Sequence, residues 1–371
     1  MNDELALRYR GEFPVTANLI YLNHAAVAPL VKPAAEAMKA LSDDAAQWGS
    51  FHYDTWLAAY EGLRTATAAM LGGHRDEIAI VKNTSEGIAT IALGVDWREG
   101  DKVVAFKEEF PANYYPWLRL AARGVNTEWL SVHDPPEEID RACRGARLLA
   151  ISFVNYLSGY RVDLETIGEI CRRHGALFFV DAIQGMGAFP IDVHRCGIHA
   201  LAADGHKWLL GPEGCGILYV RRDILDGIEP VEFGWTNTAQ YADYASRDMT
   251  LRSDAGRFEC GTLNTIGVFG LRASIEFLNA VGVERVRDRV MGLARQVAEG
   301  AERRGYEVFT PRTENNGSGI VSIRREEEDS RMVVRRLREN GIVTAPRQGW
   351  VRISPHFYAT HGEIDKMLEL L

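Results

Sequence analysis

The stretch LAADGHKWLLGPEGCGILYV, residues 201 to 220, joins two apolar runs through a His-Lys pair and a glycine-rich bend. ALAAD (200–204) before it and CGILYV (215–220) after it have the length and apolarity of strands buried on both faces. A lysine ammonium at the end of such a strand is costly to bury unless it is paired or has changed its chemistry. Lys207 therefore reads in one of two ways. It is a surface residue with its head in water, or a residue that the chemistry requires at that place.

Upstream, short β-rich runs alternate with helical periods. EIAIV (77–81) precedes SEGIATIALG, KVVAF (102–106) precedes YYPWLRLAARG, and RLLAISFV (147–154) precedes LETIGEICRRHG, with ALFFVDA (176–182) following. Doubly buried runs separated by amphipathic helices predict a mainly parallel sheet with crossover helices, an α/β architecture. After about residue 262 the pattern changes to a long helical tract (269–305), then YEVFTP, GIVSIRR, a helix at RMVVRRLRENG and a strand at WVRISPHFY. This predicts a large domain over 17–260 and a smaller α+β domain over 261–371, with residues 1–16 packing on the smaller one.

The totals agree with that division. A length of 371 residues exceeds what one core usually encloses. A net charge of −9 argues against a broad nucleic-acid or anionic-membrane surface. No stretch approaches the roughly 20 apolar residues of a membrane span, and MNDELALRYRGEF lacks a signal peptide's apolar core. The expectation is a cytoplasmic protein. Cys143, Cys171, Cys196, Cys215 and Cys260 show neither C-x-x-C nor metal-ligand spacing, and read as reduced thiols with no metal site.

In open sheets of this kind, ligands sit outside the carboxyl ends of the strands. NTSEG (83–87), KEEFPANYYPW (107–117), SFVNYLSG (152–159), VDAIQ (180–184) and DGHK (204–207) then share one edge. Thr84 and Ser85 open a helix, where free N–H groups and the dipole favour an anion as readily as a cap. Asp181 closes a buried run, Gln184 follows it by three residues, and Lys207 completes the set. An anion seat, an acid, an amide and a lysine are what pyridoxal 5'-phosphate needs: a phosphate site, a partner for the ring nitrogen, and a lysine for a Schiff base.

VDAIQGMG (180–187) followed by ADGHKWLLGPEGCGILYV (203–220) resembles the cofactor signature of the class V aminotransferase family, the group that includes cysteine desulfurases and isopenicillin-N-epimerase-like proteins. The resemblance runs from YLNHAAVAP (21–29) to VRISPHFY (351–358). It implies the type I fold of pyridoxal-phosphate enzymes, with a mainly parallel sheet of the seven-stranded type and helices on both faces. It also implies that Lys207 is the Schiff-base lysine, Asp181 the partner of the ring nitrogen and Gln184 the amide at the phenolic oxygen. Thr84, Ser85 and His206 would contact the phosphate, and Asn155 the phenolic oxygen and the substrate. Arg352 would hold the substrate's α-carboxylate, with Arg347 as the competing arginine. FECGTLNT (258–265) resembles the segment that crosses a homodimer, with Gly261 and Thr262 on the partner subunit's phosphate.

Three departures from the family pattern stand out. Asp204 occupies a position often held by serine, and an acid facing a phosphate is expected to turn away or bond to a nearby donor. Phe110, in EEFPAN, stands where desulfurases carry a histidine stacked on the cofactor; it can stack but cannot move protons. TAPRQGWVRIS (344–354) is short and holds no cysteine, where desulfurases place their nucleophilic thiol. The expectation is an enzyme acting on the α carbon of an amino acid, an aminotransferase first. Isopenicillin-N-epimerase-like epimerisation or C–S lysis are the alternatives, with cysteine desulfuration behind them. A cofactor-binding regulator would need a DNA-binding module, for which the twenty or so residues before the matched region are too few.

Overall fold

The computed structural model describes residues 3–371. Its central sheet has seven strands. They are β1 (Ile78–Val81), β2 (Lys102–Phe106), β3 (Asn126–Leu130), β4 (Leu148–Ser152), β5 (Leu177–Asp181), β6 (Ala200–Asp204) and β7 (Gly216–Val220). Their spatial order is β1-β7-β6-β5-β4-β2-β3. Only β7 runs against the others: it pairs antiparallel with both β1 and β6, while the remaining neighbours are parallel. Successive residues face opposite layers, as Phe178 and Val180 on one side and Phe179 on the other illustrate. This double burial is what makes the strands read as unbroken apolar runs.

Strand β3 was not among the expected runs. It is an edge strand of sequence NTEWL, mostly half-exposed, so its polar residues hide it from a search for doubly buried segments.

Helices α1 (Lys32–Trp48) and α2 (Tyr53–Leu71) pack on α4 (Thr265–Val281); α3 (Thr84–Gly94) follows β1 and lies against β6 and β7. The helical tract expected over 269–305 is two helices, α4 and α5 (Val283–Glu302), meeting at 82°. The break is at Gly282, whose φ of 91° few other residues adopt. The apolar face of α4 joins the large core, whereas Leu293, Val297 and Ala301 of α5 join a separate cluster with the C-terminal strands. Val286 and Val290, early in α5, still join the large core. We propose that the two domains divide in packing within α5, between Val290 and Leu293, beyond the 260/261 boundary expected from sequence.

The smaller sheet has four antiparallel strands: β8 (Glu307–Val308), β9 (Val321–Arg324), β10 (Ala345–Arg347) and β11 (Trp350–Ile353), ordered β10-β11-β9-β8. The opening segment places Leu5, Tyr9, Phe13 and Val15 in or against the large core and reaches Glu363 through an ion pair. Arg10 pairs with Glu363 at 2.6 Å, while Phe13 stacks on Tyr358 with centroids 3.7 Å apart. Residues 1–2 of that segment lie outside the described residues. Among the described residues, no single helix is long and apolar enough to cross a membrane.

Candidate active site

The register aligns the strand ends that carry the chemistry. Asp181 lies opposite Ser152 and Ala202, and Asp204 opposite Gly216. Beyond β6 the chain turns back so tightly that Gly205 N–H reaches the Cys215 carbonyl at 2.9 Å. A Cβ on Gly205 would meet that same carbonyl at 2.9 Å and Leu271 at 2.8 Å, so the close approach needs glycine. Lys207 projects from this bend into a cavity of about 410 Å³, a size suited to a small ligand. Burial pushes its amine down to about 8, with Arg352 and Arg347 adding to the push and the charges of Asp181 and Asp204 opposing it. The surface reading of Lys207 falls away.

Asp181 ends β5 in the same cavity, 3 % exposed. Burial pushes its carboxyl up to about 6, against a hydrogen bond from Ile183 N–H (3.1 Å) and the charge of Lys207. Gln184 is fixed on both sides: its Oε1 accepts from the Trp208 indole and its Nε2 donates to the Ala25 carbonyl, each at 3.0 Å. Because an indole can only donate, this pairing fixes which end of the amide is oxygen.

Thr84 and Ser85 form the first turn of α3, capped by Asn83, whose Oδ1 accepts from Glu86 N–H at 2.9 Å. Both line the cavity. Asp204 stands beside His206, Oδ2 to Nδ1 3.1 Å, without the alignment of a hydrogen bond. Its other oxygen has no partner and Asp204 lines the cavity, so neither the expected turning away nor a hydrogen bond to a nearby donor is present. The Phe110 ring centroid is 5.9 Å from Lys207 Nζ.

The opposite wall comes from the small sheet and the loop after β4. Arg352 is 2 % exposed and donates through Nη1 to the Tyr156 carbonyl at 2.8 Å. Burial and the neighbouring Arg347 push its guanidinium down to about 9. Arg347 lines the cavity too. It ends strand β10.

Two sets of expected residues do not line this cavity within the chain. Asn155 spends its side chain on its own turn: Oδ1 takes Leu157 N–H, Ser158 N–H and the Ser158 hydroxyl, and Nδ2 donates to the Glu108 carbonyl. Gly261 and Thr262 line a second cavity of about 510 Å³ with Trp235 and Tyr241. Sequence reasoning passed over Tyr156, Trp208 and Glu109. Tyr156 and Glu109 lay inside segments already assigned to the reactive edge, which was the available signal. Glu109 is buried, accepts Ser152 N–H at 2.6 Å, and is pushed up to about 8 by burial, with the charge of Asp181 adding to the push.

The aminotransferase class-V family model matches residues 20–367. The chain belongs to the class V aminotransferase family. A probable cysteine desulfurase of Methanothermobacter thermautotrophicus is 31 % identical, the match covering 98 % of this chain and 96 % of the relative. The cysteine desulfurase of Thermococcus onnurineus NA1 superposes with a TM-score of 0.91 at 27 % identity, covering 98 % and 96 % of the two chains. C-DES, solved with glycine covalently linked to its PLP cofactor, has a TM-score of 0.89 at 24 % identity, covering 97 % and 98 %. The fold is the type I fold of pyridoxal-phosphate enzymes.

Pyridoxal 5'-phosphate is the cofactor of this class V family, and the cavity fits it. Thr84 Oγ1, His206 Nδ1 and the Nε and Nη2 atoms of Arg352 can donate, are buried without partners, and belong to residues that all line this one cavity. Asp204 Oδ1, also unpaired there, is an acceptor that an anion would repel. Buried polar atoms are rarely left unpaired. Orphans gathered at a helix N-terminus at one end and at a guanidinium at the other suit a ligand with a phosphate and a substrate with a carboxylate.

Proposed function

We propose that this class V enzyme moves the amino group of an amino acid to a keto acid, with pyridoxal 5'-phosphate held between α3 and β11. The carrying observation is the company Lys207 keeps: a buried acid, a helix N-terminus and a guanidinium fork converge on it, and none of the five cysteines lines the cavity. When bound, the cofactor supplies an electron sink that weakens the bonds at the substrate's α carbon. The chain's own groups do the rest. Thr84, Ser85 and His206 would hold the phosphate, and Asp181 would keep a proton on the ring nitrogen. Gln184 would offer its second Nε2 hydrogen to the phenolic oxygen, and Phe110 would stack on the ring. Arg352 turns Nε–H and Nη2–H toward the α-carboxylate, which fixes the α carbon near Lys207. Lys207, whose amine burial holds down in the open cavity, would take up the α proton as a general base.

Desulfuration is the second reading, favoured by the names of the relatives. Against it stands the hairpin between Arg347 and Trp350, a two-residue turn of Gln348 and Gly349 that leaves no length for a mobile thiol.

A homodimer is part of the same proposal. Support comes from exposed Trp48, Phe51, Phe233 and Tyr244 on segments that flank or line the cavity holding Gly261 and Thr262. A cytoplasmic location goes with five free thiols. Sedimentation of the purified protein tests the dimer.

An amino-acid and keto-acid panel tests the reaction. Transamination predicts one keto acid formed as another is consumed. Epimerisation would exchange the α proton without that coupling, and C–S lysis would give pyruvate and sulfide with no acceptor. Rapid sulfide release from L-cysteine, abolished by alkylating a single thiol, would establish desulfuration instead.

A further inference from the structure

The substrate end of the cavity holds more positive charge than one carboxylate calls for. The hairpin register pairs Arg347 with Trp350 and Ala345 with Arg352. With a side-chain period of two, Arg347 and Arg352 therefore leave the hairpin on the same face. The turn between them is tight. Gln348 and Gly349 both have positive φ, 47° and 85°, the type I′ geometry that matches strand twist. Tyr156 holds both sides of it, accepting from Arg352 at its carbonyl and from Gln348 Nε2 (2.8 Å) at its hydroxyl.

Among the described residues, neither arginine makes an ion pair with a carboxylate. The acids of the cavity, Asp181 and Asp204, lie with Lys207 and His206. The Nε and Nη2 edge of Arg352 is free, and that edge alone satisfies a carboxylate through two parallel hydrogen bonds. Arg347 is half-buried, and its Nη1 donates only to the carbonyl of its neighbour Pro346. A second guanidinium beside the first is repulsive until another anion arrives. Arg347 also lines an adjoining cavity of about 590 Å³, where Thr344 Oγ1 and Asn23 Oδ1 lack partners, so space continues past it.

We propose that Arg347 receives a second anionic group, and that the substrate is an amino acid with a carboxylate on its side chain. This rests on the reading of the cavity given under Proposed function. Arg352 takes the α-carboxylate and Arg347 the distal one, so Arg347 sets specificity.

The experiment is calorimetric titration of the holoenzyme with L-aspartate, L-glutamate and L-2-aminoadipate, set against L-asparagine, L-glutamine and L-norvaline. The expected result is that at least one acid binds about tenfold or more tightly than its uncharged counterparts. Arg347→Gln should abolish that preference while changing the affinity for the uncharged amino acids by about twofold or less. Arg347→Lys, which keeps the charge without the fork, should retain part of the preference and covers the case of a poorly folding Gln variant. Equal binding of acids and uncharged analogues by the unaltered enzyme would overturn the proposal. So would an Arg347→Gln variant that weakens both groups alike, since the two arginines would then share one carboxylate. Binding of none of the six would overturn the underlying reading as well, which separates the two failures.

Discussion

The wall that carries Asp181 and Lys207 is built from neighbouring strands of one sheet, each delivering its residue at its own carboxyl end. The wall that carries Arg347 and Arg352 is built from a hairpin in another sheet, held against the first by Tyr156. On the first wall, placement is local: strand end, tight bend, helix start. On the second, it depends on a pairing between sheets far apart in sequence. The first should therefore tolerate loss of the second, keeping its cofactor while losing its substrate.

The largest expected effect tests that separation on the cofactor side. Lys207→Ala should lower turnover by about 10³-fold, the scale of a lost proton carrier, yet still bind amino acid by calorimetry. Borohydride reduction of the unaltered enzyme should fix the cofactor on Lys207 alone; labelling of Lys82 or Lys102 would break the comparison at its first term. Asp181→Asn comes next. It should cost about 10²-fold in turnover with full cofactor content measured by absorbance, and near-normal turnover would remove Asp181 from the site.

On the other wall, Arg352→Lys should weaken amino-acid binding about tenfold to thirtyfold while cofactor content stays unchanged. Cofactor loss in that variant would show that the walls are not independent. The smallest effect is one of pH. Because burial holds the Lys207 amine down to about 8, its neutral, reactive fraction grows as pH rises through that value. The rate at which cofactor-free protein captures pyridoxal phosphate should therefore rise about tenfold between pH 7 and pH 9. A rate that keeps climbing steeply past pH 10 would mean that the amine is not depressed.

The same contrast decides what could be read from the chain. Asp181, Lys207, Thr84 and Ser85 were legible because double burial turns strands into apolar runs, and the residues at the carboxyl end of each run mark the reactive edge. Strand β3 was missed because an edge strand buries only part of itself. Arg352 was found through family resemblance. The hairpin that brings Arg347 to its side was not, because AlaProArg is too short and too polar to announce a strand. Gly261 and Thr262 were assigned to a neighbour's site, which no single chain displays.

Strand β1 carries a consequence in time. One edge of β1 is closed by β7, with Ile78 opposite Tyr219, and Ile80 N–H on the strand is taken by the Glu259 carboxylate at 2.7 Å. Both partners are made long after β1 leaves the ribosome. Until then IAIV is an apolar ribbon with bare hydrogen-bonding edges, the kind of segment that aggregates in a nascent chain. Closing that gap requires contacts of high sequence separation, which fold slowly. Yield in a cell should therefore be governed by how well β1 is sheltered during synthesis, and slowed translation between residues 81 and 216 should lower it without altering the finished enzyme.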